Sequence, residues 1–297
     1  METRDIDLWN DGDQLKVHRN TPCVRCVKDQ KSLDKDFFTI IPYDEQEGNS
    51  GQPLILKQYL GGSTMNVLAI GCHPDDIEVA CAGTLAKCVQ RGDKVTVCHV
   101  ANGNLGHVII QPDELRDMRR QEAKNAGALA GIEVITCDIG DLMVYPNQEQ
   151  RDKVVEVIRR TQPDMIITHS PNDYMPDHTA VSKLVFDASF AASVAHYLPE
   201  SGEPAQVTPI YYMDTLAGVN FMPTEYVDVT DTVELKLQML ECHVSQMKWM
   251  RDHDNIDFAE FVKTCARFRG LQCGVQYAEA FTQCYAWPKI TTKRLLP

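Results

Sequence analysis

Met65-Asn-Val-Leu-Ala-Ile-Gly71, followed at once by Cys72-His73-Pro74-Asp75-Asp76-Ile77-Glu78, is the stretch that decides the fold. A short apolar run ending in glycine is the pattern of a strand buried on both faces. From Glu78 to Arg91 the apolar and small residues move to helical spacing (Val79, Ala82, Leu85, Ala86, Val89), and Gly92 stands where a C-cap belongs. Lys94 to Val100 is strand-like again. Strand, helix, strand in this order predicts a parallel pair with a crossover helix.

The same alternation runs outward along the chain. Helices are expected over Pro112–Ala130, Gln148–Thr161 and Pro176–Val194, and strands over Glu133–Cys137 and Asp164–Thr168. Two strand-like runs follow, Ile210–Asp214 and Tyr226–Val229, then helices over Val233–Arg251 and Asp257–Gly270. The fold class is therefore α/β, a mostly parallel sheet flanked by helices and joined by right-handed crossovers. Residues 1–64 are set apart: they are polar, with one apolar island at Phe37–Ile41 and a Gly61-Gly-Ser-Thr64 hinge, and read as an N-terminal extension or appendage to a main domain over 65–297. Cys23-x-x-Cys26 in that extension has no second CxxC and reads as two free thiols.

The 297 residues carry 29 Lys plus Arg against 42 Asp plus Glu, a formal charge of −13. That balance argues against nucleic acid or an anionic lipid surface as a partner and favours a small molecule or glycan. No basic stretch and apolar core of a secretory signal opens the chain, and no apolar run is long enough to span a bilayer, so the expectation is a cytoplasmic protein with no membrane partner. Eleven dispersed cysteines suit a reducing compartment.

Chemistry concentrates where the first strand ends, the edge at which open parallel sheets bind ligands. His73 and Asp76 stand three apart across a proline-stiffened turn and are able to converge on one cation while Asp75, between them, stays free. The loop after the fourth strand, Thr168-His169-Ser-Pro-Asn-Asp173-Tyr174-Met175-Pro176-Asp177-His178, lies at the same edge if the sheet is doubly wound. His178 is the choice for third ligand, with His169 and Asp173 as outer-shell or substrate contacts. Two imidazoles and a carboxylate with an open position suit Zn2+, although Fe2+, Co2+ or Mn2+ also accept such ligands. Asp75 is then positioned as the base for a metal-activated water.

His73-Pro-Asp-Asp76 with Glu78 and Ala82-Gly-Thr-Leu85 resembles the signature of the LmbE-like, or PIG-L, family of zinc-dependent N-acetyl sugar deacetylases. The likeness continues through Asn102-Gly-Asn-Leu-Gly106, Arg119-Arg-Gln-Glu-Ala123, Pro176-Asp-His178 and Tyr277-Ala-Glu-Ala-Phe281. It covers about residues 65 to 285 and leaves 1–64 aside. The resemblance implies a Rossmann-like fold, a catalytic zinc, and hydrolysis of an N-acetyl group on an amino sugar such as N-acetylglucosamine or its conjugates. It matches His73, Asp76 and His178 to the metal ligands, Asp75 to the general base and Arg119 to an arginine near the substrate. It also implies a homo-oligomer, since neighbouring subunits often complete sites in this family. An amidase acting on a thiol-sugar conjugate is the alternative within the same machinery.

One position departs from the family pattern. Many members carry histidine three residues before the last ligand; here it is Met175, which neither donates nor accepts a proton. The proton for the leaving amine must then come from elsewhere, Asp75 first, with His169 or His107 as further donors. A protein that binds metal and sugar with weakened turnover is the competing reading. His107 and Asp141 follow the second and third strands at the active edge and read either as substrate contacts or as loop structure. His99, His196, His243 and His253 have no ligand-spaced partner and read as ordinary residues.

Overall fold

The computed structural model describes residues 64–297 and, ahead of them, the backbone of five short strands. Two compact units divide the chain, Met1–Ser63 and Thr64–Pro297. In the first, β1 (Asp7–Asp11), β2 (Gln14–His18), β3 (Val24–Lys28), β4 (Phe38–Pro42) and β5 (Leu54–Ile55) pair antiparallel in sequence order. Only β4 coincides with the apolar island; the other strands are too short to stand out in a polar segment. The free-thiol reading of Cys23 and Cys26 lies outside the described residues.

The second unit alternates as its sequence predicts. β6 (Asn66–Gly71), α1 (Asp76–Ala80), α2 (Ala82–Arg91), β7 (Lys94–Ala101), α3 (Pro112–Leu129), β8 (Glu133–Ile139), α4 (Gln148–Thr161), β9 (Met165–His169), α5 (Pro176–Ala191) and β10 (Ile210–Met213) follow in turn. β11 (Glu225–Asp228), α6 (Val233–Glu241), α7 (Val244–Asp252), α8 (Phe258–Cys273) and β12 (Ala278–Gln283) complete it. The sheet order is β11-β12-β10-β9-β6-β7-β8. β10 to β8 are parallel, and β12 runs antiparallel between β10 and β11. The result is an α/β domain with a mixed but mostly parallel seven-stranded sheet. Among the described residues, no helix is long and apolar enough to cross a membrane.

The core explains why β6 reads as a continuous apolar run. Leu68 and Ile70 face Val154, Ile158, Val181 and Val185 of α4 and α5, while Val67 and Ala69 face Leu85, Cys88 and Ala126 of α2 and α3. Each fully buried large aliphatic side chain contributes about 1.5–3 kcal/mol.

Three elements differ from the sequence expectation, each for a local reason. The helix expected over Glu78–Arg91 breaks at Cys81, whose φ is −148°. The break lets a fresh helix start at Ala82, and its orphan N–H groups on Gly83 and Thr84 donate to the two carboxylate oxygens of Glu279 at 2.9 and 2.7 Å. The helix expected over Val233–Arg251 divides at Cys242–His243. β12 was not expected as a strand at all, because its Ala-Glu-Ala start has neither β-branched residues nor alternation. The C-cap at Gly92 is as expected, in the left-handed region at φ 100°.

Candidate metal centre

β9 pairs with β6 in parallel, Ile70 opposite Thr168, so the loops after both strands leave at one edge. The first is short because α1 begins at Asp76. Asp76 closes it on itself: its Oδ2 accepts the His73 backbone N–H at 2.6 Å. Asp75, the residue before the helix, sits at φ 116° and makes no side-chain capping bond.

Around the Asp76 carboxylate stand three imidazoles. Oδ2 lies 3.5 Å from His73 Nδ1, 3.3 Å from His178 Nε2 and 3.3 Å from His169 Nε2. His73 Nε2–H donates to Asp177 Oδ2 at 3.2 Å and His178 Nδ1–H to Asp173 Oδ2 at 3.1 Å. With those protons placed, the lone pairs of His73 Nδ1 and His178 Nε2 face the Asp76 carboxylate. Carboxylates behind histidines in this way orient metal ligands and raise their basicity.

Three overlapping groups have metal-ligand spacing: His73–Asp76–His178, His169–Asp173–His178 and Cys72–His73–Asp177. The first fits a cation best. His178 Nε2 is buried without a hydrogen-bond partner, an unmet need that a metal would fill. The His169 lone pair is already engaged, since Cys72 N–H donates to its Nε2 at 2.9 Å, and burial, then the neighbouring His178, pulls its pKa down to about 4. Burial likewise pushes the Cys72 thiol up to about 12.

Electrostatics say the same. Burial pulls the His178 imidazole down, but Asp76 and Asp173 outweigh it and bring it up to about 9. Burial raises the Asp76 carboxyl, yet the three imidazoles hold it well below the usual carboxylate range. This is the field of a site built to hold positive charge. Asp75 is pushed the other way, up to about 7, by burial and then by Asp76, with Arg119 opposing.

The remaining candidates divide. Arg119 is buried on the cavity wall; its Nη2 donates to Gly106 O at 3.3 Å and pairs with Gln246 Oε1, and the Asn102–Gly106 loop wraps it so closely that a Cβ on Gly103, at φ 77°, would lie 2.4 Å from Arg119 Cδ. Asp141 lines the cavity, but its oxygens accept Gly103 N–H at 2.8 Å and Leu105 N–H at 3.0 Å, so it fastens that loop. Asp173 lines the cavity as the partner of His178 and of Met175 N–H. His107 is not brought into the cavity lining; its Nδ1 accepts Ile109 and Ile110 N–H at 3.1 Å and its ring packs on Trp249.

Two contributors escaped the sequence. Asp177 was read only as part of a motif, and it orients His73 while accepting Leu142 N–H at 2.8 Å. His243 has no ligand-spaced partner in the sequence. It is buried, with Nε2 3.3 Å from Glu78 Oε2, and adds positive charge behind Asp75. Its separation of 165 positions from Glu78 gave no spacing signal.

The family model for PIG-L, described as GlcNAc-PI de-N-acetylase, matches residues 68–189. Diacetylchitobiose deacetylase of Thermococcus kodakarensis is 27% identical over 224 residues, 72% of this chain and 80% of that protein. 4-Oxalmesaconate hydratase of Pseudomonas putida is 24% identical over 192 residues, 61% of this chain and 74% of that protein. The solved N,N'-diacetylchitobiose deacetylase from Pyrococcus horikoshii superposes with a TM-score of 0.65 at 26% identity, covering 73% of this chain and 83% of that one.

Proposed function

We propose, from the premise that this chain belongs to the PIG-L (LmbE-like) family, that it is a zinc-dependent hydrolase removing the acetyl group from the nitrogen of an amino sugar, its glycoside or its conjugate. The observation that carries this reading is the convergence of His73, Asp76 and His178 within ligand distance of one another, with Asp75 beside them and the orphaned His178 Nε2 pointing inward. Deacetylases of acetylated sugars among the similar proteins support it.

When bound by these three residues, zinc supplies Lewis acidity and brings the pKa of a water toward neutrality. Asp75 accepts the proton of the attacking water as its oxygen bonds to the acetyl carbonyl carbon. Burial and the neighbouring Asp76 suit it to that role by raising its carboxyl above the usual carboxylate range. Arg119 supplies fixed positive charge toward the oxygen that becomes negative. The C–N bond then breaks, Asp75 returns the proton to the departing nitrogen, and acetate and a free amine leave. Met175 takes no part in this transfer.

The test is a zinc-loaded protein given N-acetylglucosamine, its methyl glycoside and diacetylchitobiose, with acetate and free amine both measured. Stoichiometric release supports the reading; no acetate from any of them overturns it. A second reading is favoured by the similarity to the Pseudomonas hydratase: addition of water to an unsaturated carboxylate, followed by loss of absorbance of that substrate and no acetate. The Met175 departure supports a third, metal and sugar binding without turnover.

Metal content tests the ligand roles separately. After exhaustive dialysis, His178→Ala and Asp76→Ala are expected to lose stoichiometric zinc, read by atomic absorption. Asp173→Ala, which removes only the carboxylate behind His178, should weaken zinc about 10–100-fold. Full zinc in His178→Ala would remove it from the ligand set.

We extend the proposal to a cytoplasmic homo-oligomer. All nine described cysteines are free thiols, which supports a reducing compartment, and light scattering reads the oligomeric state.

A further inference from the structure

The cavity in front of the metal-ligand group encloses about 340 Å3, near the lower end of ligand sites. Much of its polar lining is already committed. Asp141 holds two backbone amides, Asp173 holds His178 and Met175 N–H, and both Asp214 oxygens meet the Arg269 guanidinium, at 2.5 and 2.9 Å. Arg119 and Gln246 bond to each other. Tyr174, Trp249 and the Gln246 amide N–H remain for sugar hydroxyls, so the carboxylates limit the polar contacts and do not remove them.

Apolar surface forms one wall. Val79 from the end of α1, Leu216 from the turn after β10, Met250 from α7 and Phe258 at the start of α8 all line the cavity. Three of them, Val79, Met250 and Phe258, pack as one cluster on Leu237 and Leu240 of α6, so the wall is backed by core. Leu105 and Leu142 extend the apolar lining outward and stay at least half exposed. Sugar hydroxyls against such a wall would lose water without replacing its hydrogen bonds, whereas a hydrocarbon or aryl group gains by leaving water there.

We propose that the substrate of this site carries an apolar substituent, alkyl or aryl, which docks on the wall formed by Val79, Leu216, Met250 and Phe258. The inference rests on the deacetylase reading for the amide, and the substituent is the aglycone or an N-acyl chain longer than acetyl; the recognising chemistry is the same for both.

Binding and turnover separate the two claims. Zinc-loaded full-length Asp75→Ala protein is titrated calorimetrically with butyl against methyl N-acetylglucosaminide, and with N-hexanoylglucosamine against N-acetylglucosamine. In at least one pair the more apolar member should bind about tenfold or more tightly. A gain in the first pair identifies the aglycone as the source, a gain in the second the acyl chain. Leu216→Gln and Met250→Gln, both at half-buried positions, should each shrink that ratio severalfold. Equal affinities within both pairs, or a preference that survives both substitutions, overturns the inference. Free amine and the matching acid, acetate from the N-acetyl sugars and hexanoate from N-hexanoylglucosamine, are read with the unmutated protein on the same sugars: binding preference without any release sinks the hydrolase reading alone, and release without preference sinks the inference alone.

Discussion

Asp75→Ala should lower acetate release by about 10²–10⁴-fold while leaving zinc content unchanged. The expectation follows from where Asp75 stands. Its neighbour Asp76 spends its carboxylate on the His73 amide and the imidazoles, whereas Asp75 makes no capping bond and lines the cavity. On the proposed mechanism, removing it deletes both the acceptor of the water proton and the donor to the departing amine, with no ligand lost. Asp75→Asn, which keeps the shape and abolishes the basicity, should fall by a similar factor. Zinc loss in Asp75→Ala equal to that in Asp76→Ala would make Asp75 a ligand, and undiminished activity would remove it from the reaction.

Glu279→Ala should cost about 3–5 kcal/mol of stability, measured as a shift in urea midpoint at constant slope. Glu279 is buried on β12, where it accepts Gly83 and Thr84 N–H and pairs with the equally buried Lys236, Nζ to Oε1 at 2.5 Å. Lys236 in turn donates to Val79 O at 2.9 Å. Truncation leaves a buried ammonium without its partner and uncaps α2. The double replacement Glu279→Leu with Lys236→Met removes the charges together and should cost much less than Glu279→Ala alone. If the double replacement costs as much, the caps on Gly83 and Thr84 rather than the ion pair dominate.

The parts of the molecule legible in the sequence are those written locally. Met65–Gly71 announces β6 because a strand buried on two faces needs an unbroken apolar run, and Gln148–Thr161 announces α4 because one helix face pays its way into the core. His73, Asp75 and Asp76 stand out because a three-residue turn brings them together, and His178 because strand order carries its loop beside theirs. What stayed hidden depends on contacts distant in sequence. The break at Cys81 is caused by Glu279 nearly two hundred residues on, and no helical periodicity records a capping carboxylate from another strand. β12 is made a strand by pairing between β10 and β11, not by its own composition. His243 gains its place from Glu78 across the domain. The strands of residues 1–64 are five residues or fewer, and the polar-apolar alternation of Gln14-Leu-Lys-Val-His18 is too short to stand out against a polar background.

The backbone at Asp75 has a consequence for anyone wishing to make this protein hardier. A non-glycine residue at φ 116° stores about 1–3 kcal/mol, and glycine would relieve part of it. Asp75→Gly should therefore raise the melting temperature and end hydrolysis in one change. Selection for thermal robustness alone would discard this carboxylate early, and the proposed role in hydrolysis is what would retain it.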